Sequence, residues 1–275
     1  MWHYSIMILA GLGEKERSYL QHLNSSNRVV VGAEDLMGAF ELSAVQANLS
    51  LSRLCKKGWL QRLRRGAYSV IPLHSNSSAT VPENPQALAM ELFKPCYVSG
   101  WSACEYWDLT EQIFNSIHVS TTQPVKKKRQ EISSLVFELQ HISPKEFEFG
   151  LEKYWHGSSQ IVVSDLHRTI IDILDVPSIG GGASLVALMV KSYLSRPDKD
   201  LDKLLLYAEK IARGTVAKRL GYLVEAFSSP SAEWILKCQS LITKGLSSLD
   251  PEGPAKGEII GRWNLRINAR VEVET

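Results

Sequence analysis

Three segments with helical periodicity and a basic hairpin are predicted in the N-terminal part of the chain. Apolar residues recur at helical spacing over residues 14–23, and a shorter periodic segment covers 33–40. A third helix is predicted to begin at the favourable N-cap Ser43 and to end at Gly58, because glycine adopts the left-handed conformation that follows many helices. The segment 59–71 predicts two short strands that turn near Gly66.

The third helix is expected to bury one face and expose another. Apolar side chains at helical spacing are Ala44, Ala47, Leu51, Leu54 and Cys55. Polar side chains recur at spacings of three and four residues: Ser43, Gln46, Ser50, Arg53 and Lys57. The same spacing also describes the solvated face of any amphipathic helix, so no one of these residues is diagnostic by itself.

Three helices followed by a basic hairpin are the element order of a winged helix-turn-helix, whose third helix enters the major groove of DNA. Ser43, Gln46 and Ser50 are the candidates for contact with base edges. Cations further along are candidates for phosphate contacts: Arg53, Lys56, Lys57, and in the wing Arg62, Arg64 and Arg65. The alternative is a winged domain that binds another protein.

The charge distribution supports a polyanionic partner. The chain carries a formal charge of +2, but residues 1–73 hold nine Lys and Arg against five Asp and Glu, and the remainder has a net charge of −2. The segment 42–73 has six basic residues and no acidic one. Such a local excess attracts nucleic acid even when the whole protein is nearly neutral.

The remaining sequence predicts an α+β fold in which a larger mixed domain follows the N-terminal one. Residues 74–86 are polar and contain two prolines, so we predict domains at 1–75 and 87–275 joined by a linker at 76–86. Helices are predicted over 100–107, 165–174, 185–194, 201–212 and 216–227, and strands over 117–120, 135–142 and up to 163. Strict alternation over residues 263–273 predicts a last, half-buried strand.

Three basic clusters in this second part are candidates for a partner surface. They are Lys126, Lys127, Lys128 and Arg129 in a predicted loop, Lys218 and Arg219 near a helix junction, and Arg262, Arg266 and Arg270 on the last strand. Solvated faces are the alternative for each cluster, and Arg219 is also a candidate for a role in the fold.

An enzyme is the second class of function that the sequence allows. Asp165, Arg168 and Asp172 share a helical face and could hold a metal ion or transfer a proton. The alternative is a helix cap at Asp165 and an ion pair between Arg168 and Asp172. The Gly-Ser at 157–158 is not followed by paired acids, and the glycines at 180–182 lack a phosphate-loop lysine. We predict no enzyme activity, cofactor or metal.

The protein is expected to be cytoplasmic and to have no membrane partner. Residues 1–12 are mostly apolar but lack a basic start and a cleavage site, and no run approaches a membrane span. Translation from Met7 is an alternative start. The four cysteines form no CxxC motif, and we expect them to be reduced and mostly buried.

Four segments in this order resemble the AbiEi family of antitoxins. They are RLCKKGWLQRLRRGAYSVI (53–71), YVSGWSACEYWDLTE (97–111), SDLHRTIIDILDVPSIGGG (164–182) and TVAKRLGYLV (215–224). The resemblance extends over most of residues 13–227. It departs from the family at the Trp-rich stretch 101–107 and at the apolar extension before Gly11.

The resemblance implies a transcriptional repressor that binds inverted repeats in its own operator through the N-terminal domain. It also implies that the C-terminal domain counteracts a co-transcribed toxin similar to nucleotidyltransferases, without a tight complex between the two proteins. A stand-alone winged-helix transcription factor is the alternative.

Overall fold

A computed structural model describes residues 11–26, 28–71 and 84–271. The chain divides into two compact units. The first takes the described residues of 1–94 with 129–137 and 155–161, and the second takes 95–128, 138–154 and the described residues from 162 onward. Most of the predicted linker at 76–86, and Met1 and Met7, lie outside the described residues, so the predicted domain boundary stays a prediction.

Three helices and a hairpin open the first unit, in the predicted order. They are α1 (Glu14–Ser25), α2 (Ala33–Phe40), α3 (Ala44–Lys56), β1 (Leu60–Arg64) and β2 (Ala67–Val70). The left-handed backbone that ends α3 at Gly58 has φ +83°, and Gly66 turns the hairpin with φ +78°. Both glycines therefore occupy positions that other residues adopt only at a cost.

The core of these elements is formed by leucines from all three helices. Leu23, Leu36, Leu51 and Leu54 are each at most 1% exposed. Val31, between α1 and α2, exchanges two backbone hydrogen bonds with Tyr68 of β2, at 2.8 and 2.9 Å. The segment before α2 is thereby fixed against the hairpin.

Six strands further along the chain form one sheet, in the order β5-β6-β4-β3-β8-β7. They are β3 (Cys96–Val98), β4 (Ile117–Thr121), β5 (Arg129–Ile132), β6 (Leu135–His141), β7 (Leu151–His156) and β8 (Ser159–Ser164). Strand β3 pairs antiparallel with β4 and parallel with β8. Helix α4 (Pro85–Phe93) precedes β3, and α5 (Gly100–Tyr106) lies between β3 and β4.

Five helices follow these strands in the described part of the second unit. They are α6 (Leu166–Asp175), α7 (Ala183–Leu194), α8 (Leu201–Ile211), α9 (Gly214–Phe227) and α10 (Ala232–Ser240). Their apolar faces form a large core that includes Ile170, Val190 and Leu220. The fold of the chain is therefore mixed α+β, as predicted.

The predicted C-terminal strand over 263–273 is wrong for most of its described length. A 3-10 turn spans Gly261–Trp263, Asn264 has the left-handed φ of 46°, and β11 spans only Leu265–Ile267. Strand β11 pairs with β10 (Glu258–Ile260) and β9 (Ser247–Ser248) in a small sheet. Trp263 is buried because its ring packs against Gly221 of α9, where an added Cβ would lie 2.2 Å from it.

Candidate nucleic-acid interface

Helix α3 begins with a capping box formed by two of the predicted base-contacting residues. The Ser43 hydroxyl accepts a hydrogen bond from the Gln46 backbone N–H at 3.3 Å. In return, the Ser43 backbone N–H donates to Gln46 Oε1 at 3.0 Å. This reciprocal pairing satisfies two N–H groups at the start of the helix. Ser43 and Gln46 therefore help to fix the position of α3, and Gln46 Nε2 remains to donate elsewhere.

The most exposed face of α3 differs from the predicted polar face. Ala47, Leu51 and Leu54 are fully buried, so the side of α3 opposite them faces solvent. Val45 and Leu49 point there and are 70% and 52% exposed. Ala44, which we assigned to the buried face, is exposed instead, since it lies at the margin of the core. Sequence reasoning missed Val45 and Leu49 because it searched for polar residues on this face.

The predicted polar residues lie along one flank of α3. Gln46 and Arg53 are exposed there, whereas Ser50 is half-buried. Lys56 is also exposed, but helical spacing places it on the same face as Val45 and Leu49. Asn48, which the sequence analysis did not single out, is also exposed, and its side-chain amide donates to Ala44 O at 2.8 Å.

Lys57 is engaged within the protein. Its ammonium group lies 2.6 Å from Glu16 Oε2 of α1 and donates to Gly11 O at 3.1 Å. The hydrogen bond from Lys57 is the main cause that lowers the pKa of Glu16. Lys57 thus joins the end of α3 to the start of α1, and its charge is already compensated.

The β1–β2 hairpin, which the sequence analysis predicts to be a wing, presents three arginines. Arg62 and Arg64 are exposed on β1, and Arg65 is exposed in the turn. A bulge between Arg62 and Arg64 shifts the register against β2. The bulge leaves Leu63 buried while its two arginine neighbours face solvent.

Five of the predicted cations share a further property. In the described part of the chain, none of them lies within 4.0 Å of a carboxylate oxygen: Arg53, Lys56, Arg62, Arg64 and Arg65. None of the five therefore forms a direct ion pair in the described part of the chain, although Arg53 acts at longer range on Glu16 and helps to lower its pKa. Together they give α3 and the β1–β2 hairpin the positive charge that a nucleic-acid backbone attracts.

Two predicted partner-surface residues are buried in the second unit, and this corrects the prediction. Lys218 is 0% exposed and Arg219 is 4% exposed. Lys218 Nζ donates to the carbonyl of Gly245 and, at 3.1 Å, to Ser247 Oγ. Arg219 donates to the carbonyls of Leu174, Asp175 and Ser248. Both side chains donate their hydrogen bonds to groups within the protein, chiefly backbone carbonyls. Lys218 and Arg219 therefore have a structural role.

The other basic candidates are accessible but not arranged as predicted. Lys126, Lys127 and Lys128 lie exposed between β4 and β5, and Arg129 begins β5. Arg262 lies in the 3-10 turn and pairs with Glu225 at 2.7 Å, whereas Arg266 is in β11 and Arg270 follows it. The three arginines therefore do not form a ladder on one strand.

The three residues considered for catalysis form a buried structural network. Asp165 caps α6 by accepting from the Arg168 backbone N–H at 2.7 Å. Arg168 Nε donates to Asp172 Oδ1 at 2.6 Å, and Tyr97 donates to the other Asp172 oxygen at 3.0 Å. Burial raises the pKa of the Asp172 carboxyl, and the adjacent Arg168 guanidinium opposes that shift. The structural alternative given for these residues is confirmed.

Among the described residues, no three His, Cys, Asp or Glu side chains cluster in a way that would hold a metal ion. Cys96, Cys104 and Cys238 are buried, and Cys55 is half-buried. In the same part of the chain, every helix falls short of the length or apolar character needed to cross a membrane.

Comparison with known proteins bears on residues 18–71, the segment that contains α2, α3 and the hairpin. This segment matches a family model described as "Transcriptional regulator, AbiEi antitoxin". Among curated proteins, none matches the sequence significantly. The match confirms, over residues 18–71, the family resemblance found in the sequence: this segment is similar to the AbiEi antitoxin family of transcriptional regulators.

Proposed function

We propose that residues 11–71 form a winged helix-turn-helix that binds operator DNA, with α3 in the major groove and the β1–β2 hairpin as the wing. The observation that carries this proposal is the set of five exposed cations on α3 and the wing that have no carboxylate partner in the described chain. Double-stranded DNA is a polyanion, whose charge is opposite to that of these cations. The family match over residues 18–71 also supports the assignment.

The cations have distinct proposed roles. Arg53 and Lys56 lie in the last turns of α3, where phosphates are the nearest groups, and the wing arginines are suited to the backbone or the minor groove. Lys57 is left out of this set because Glu16 holds it. Five phosphate contacts give a slope of log affinity against log salt of about −4.5, at roughly 0.9 per contact.

The first experiment is fluorescence anisotropy of the full chain with its own upstream DNA and with a scrambled duplex, across a salt series. A preference of about a thousandfold for the upstream DNA and a slope near −4.5 would establish specific binding through this surface. Replacing Arg62, Arg64 and Arg65 together by alanine should weaken binding to both duplexes and make the slope shallower by about 2.7. Equal, weak binding to both duplexes would contradict the proposal.

The proposed biological role is repression of its own operon and neutralisation of a co-transcribed toxin that resembles nucleotidyltransferases. The support for this role is the family match alone. A reporter fused to the upstream region should be silenced by the intact chain and released by the triple arginine variant. Co-expression should rescue cells from the toxin without a stable complex on gel filtration.

A stand-alone transcription factor with the same DNA-binding domain is the second candidate. A downstream gene whose product is toxic unless this chain is present favours the antitoxin. Specific operator binding without such a gene favours the stand-alone regulator.

A further inference from the structure

An apolar patch occupies the centre of the outward face of α3. Val45 and Leu49 are one helical turn apart, and with Ala44 and Asn48 they line a shallow depression on the helix surface. More than half of each of the two larger apolar side chains is exposed to solvent. The core is on the opposite side of the helix, so the fold of the unit does not account for these two residues.

The surroundings of the patch identify its partner. Arg53 and Lys56 follow it on the same helix, and the segment 42–73 contains no acidic residue. Four side chains form far too small a surface for a stable protein interface, which buries about 800 Å² on each partner. The patch is therefore suited to a polyanion that displays small apolar groups within reach of a helix.

The major groove of DNA has this property. The C5-methyl group of thymine is the apolar group on the base edges there, and aliphatic side chains contact it directly. We propose that Val45 and Leu49 contact thymine methyl groups in the operator and set the preference for thymine at those positions. This inference rests on the proposed DNA-binding function and adds the residues that select bases.

The test replaces operator thymines, one at a time, with deoxyuridine. That change removes one methyl group and leaves charge and base pairing intact. Full-length protein should bind the duplex about fourfold more weakly at one or two positions in each half-site, which corresponds to losing the burial of one methyl group. In Val45→Ala or Leu49→Ala protein, thymine and deoxyuridine should bind equally at the matching position, because the contact is already lost.

Two control variants separate this contact from other effects. Leu236→Ala removes a leucine that is 67% exposed on α10, and this protein should keep both the affinity and the sensitivity to deoxyuridine. Lys56→Gln should weaken binding to every duplex alike and retain that sensitivity. Thermal melts check that each variant is folded. We expect them all to fold, because the replaced side chains are exposed.

The outcomes are distinct. If the protein binds the operator specifically and its affinity is unchanged by deoxyuridine at every position, this inference is overturned and the proposed function stays intact. Alanine variants that retain sensitivity to deoxyuridine also overturn this inference and leave the proposed function intact. If those variants in addition change the sedimentation of the free protein, the patch is a contact between copies of the chain. Absence of specific binding to any upstream DNA overturns both proposals.

Discussion

Lys57 Nζ lies 2.6 Å from Glu16 Oε2, which ties the C-terminal end of α3 to the first turn of α1. The neighbouring Lys56 has no carboxylate within 4.0 Å in the described chain and is exposed. Two adjacent lysines at the end of one helix therefore have different roles. One holds two helices together, and the other is available to a phosphate.

This difference predicts opposite effects of two single substitutions. Lys57→Ala should lower the free energy of unfolding by up to about 1 kcal/mol, the range of an ion pair near the surface, and leave the salt slope of DNA binding unchanged. Lys56→Ala should leave stability unchanged and make the slope shallower by about 0.9. Urea unfolding and anisotropy titrations measure the two effects. An equal change of slope in both proteins would contradict the assignment.

The capping box predicts a local effect at the start of α3. Ser43→Ala removes the acceptor for the Gln46 N–H and should destabilise the helix by about 1 kcal/mol. Hydrogen exchange of peptides covering residues 43–56 should accelerate about fivefold, while peptides from α1 stay unchanged. Ser43→Thr, which retains a hydroxyl acceptor, is the matched control and should exchange nearly as the native chain does. Unchanged protection in Ser43→Ala protein would count against the cap.

Periodicity predicted α2 and α3 because each of these helices buries one side and exposes the other. Helix α2 spans the predicted residues 33–40, and the start of α3 follows from Ser43. The outward face of α3 was also available from the sequence, since Val45 and Leu49 lie opposite Ala47 and Leu51. It was missed because only polar residues were considered as candidates for an exposed binding face.

Contacts between residues far apart in sequence were not predictable. The pairing of Lys57 with Glu16 joins positions 41 apart, and nothing in either segment alone indicates it. The alternation after Trp263 suggested a strand, but Trp263 is buried by packing on Gly221, and its neighbour Asn264 adopts a left-handed backbone. In a single sequence, an apolar–polar alternation that arises because side chains pack on a neighbouring helix looks the same as the alternation of a half-buried strand.

The buried pair of Arg168 and Asp172 predicts a large loss of stability on removal of one partner. Asp172→Asn leaves the Arg168 guanidinium, which is 1% exposed, without its hydrogen-bonded counter-charge and should cost about 3–5 kcal/mol. Tyr97→Phe removes one hydrogen bond to the same carboxylate and should cost only about 1 kcal/mol. Urea midpoints compare the two proteins. A folded Asp172→Asn protein of native stability would contradict a structural role for this pair.

His118 predicts how stability depends on pH. Its ring is buried beneath Gly100, its Nδ1 is 2.8 Å from the Ser99 hydroxyl, and burial lowers its pKa to about 3. Between pH 6.5 and about 3 the unfolded chain therefore binds a proton that the folded chain does not, so stability falls as the pH is lowered through this window.

The expected loss from His118 is about 1.4 kcal/mol per pH unit below the unfolded pKa. Urea unfolding at pH 6.5 and 5.0 should show this loss in the native chain and a smaller one in His118→Gln protein. The same replacement at the exposed His156 is the matched control and should preserve the native pH dependence. If His118→Gln protein loses as much stability as the native chain between these two pH values, the ring takes up its proton equally in both states, and burial does not keep it neutral.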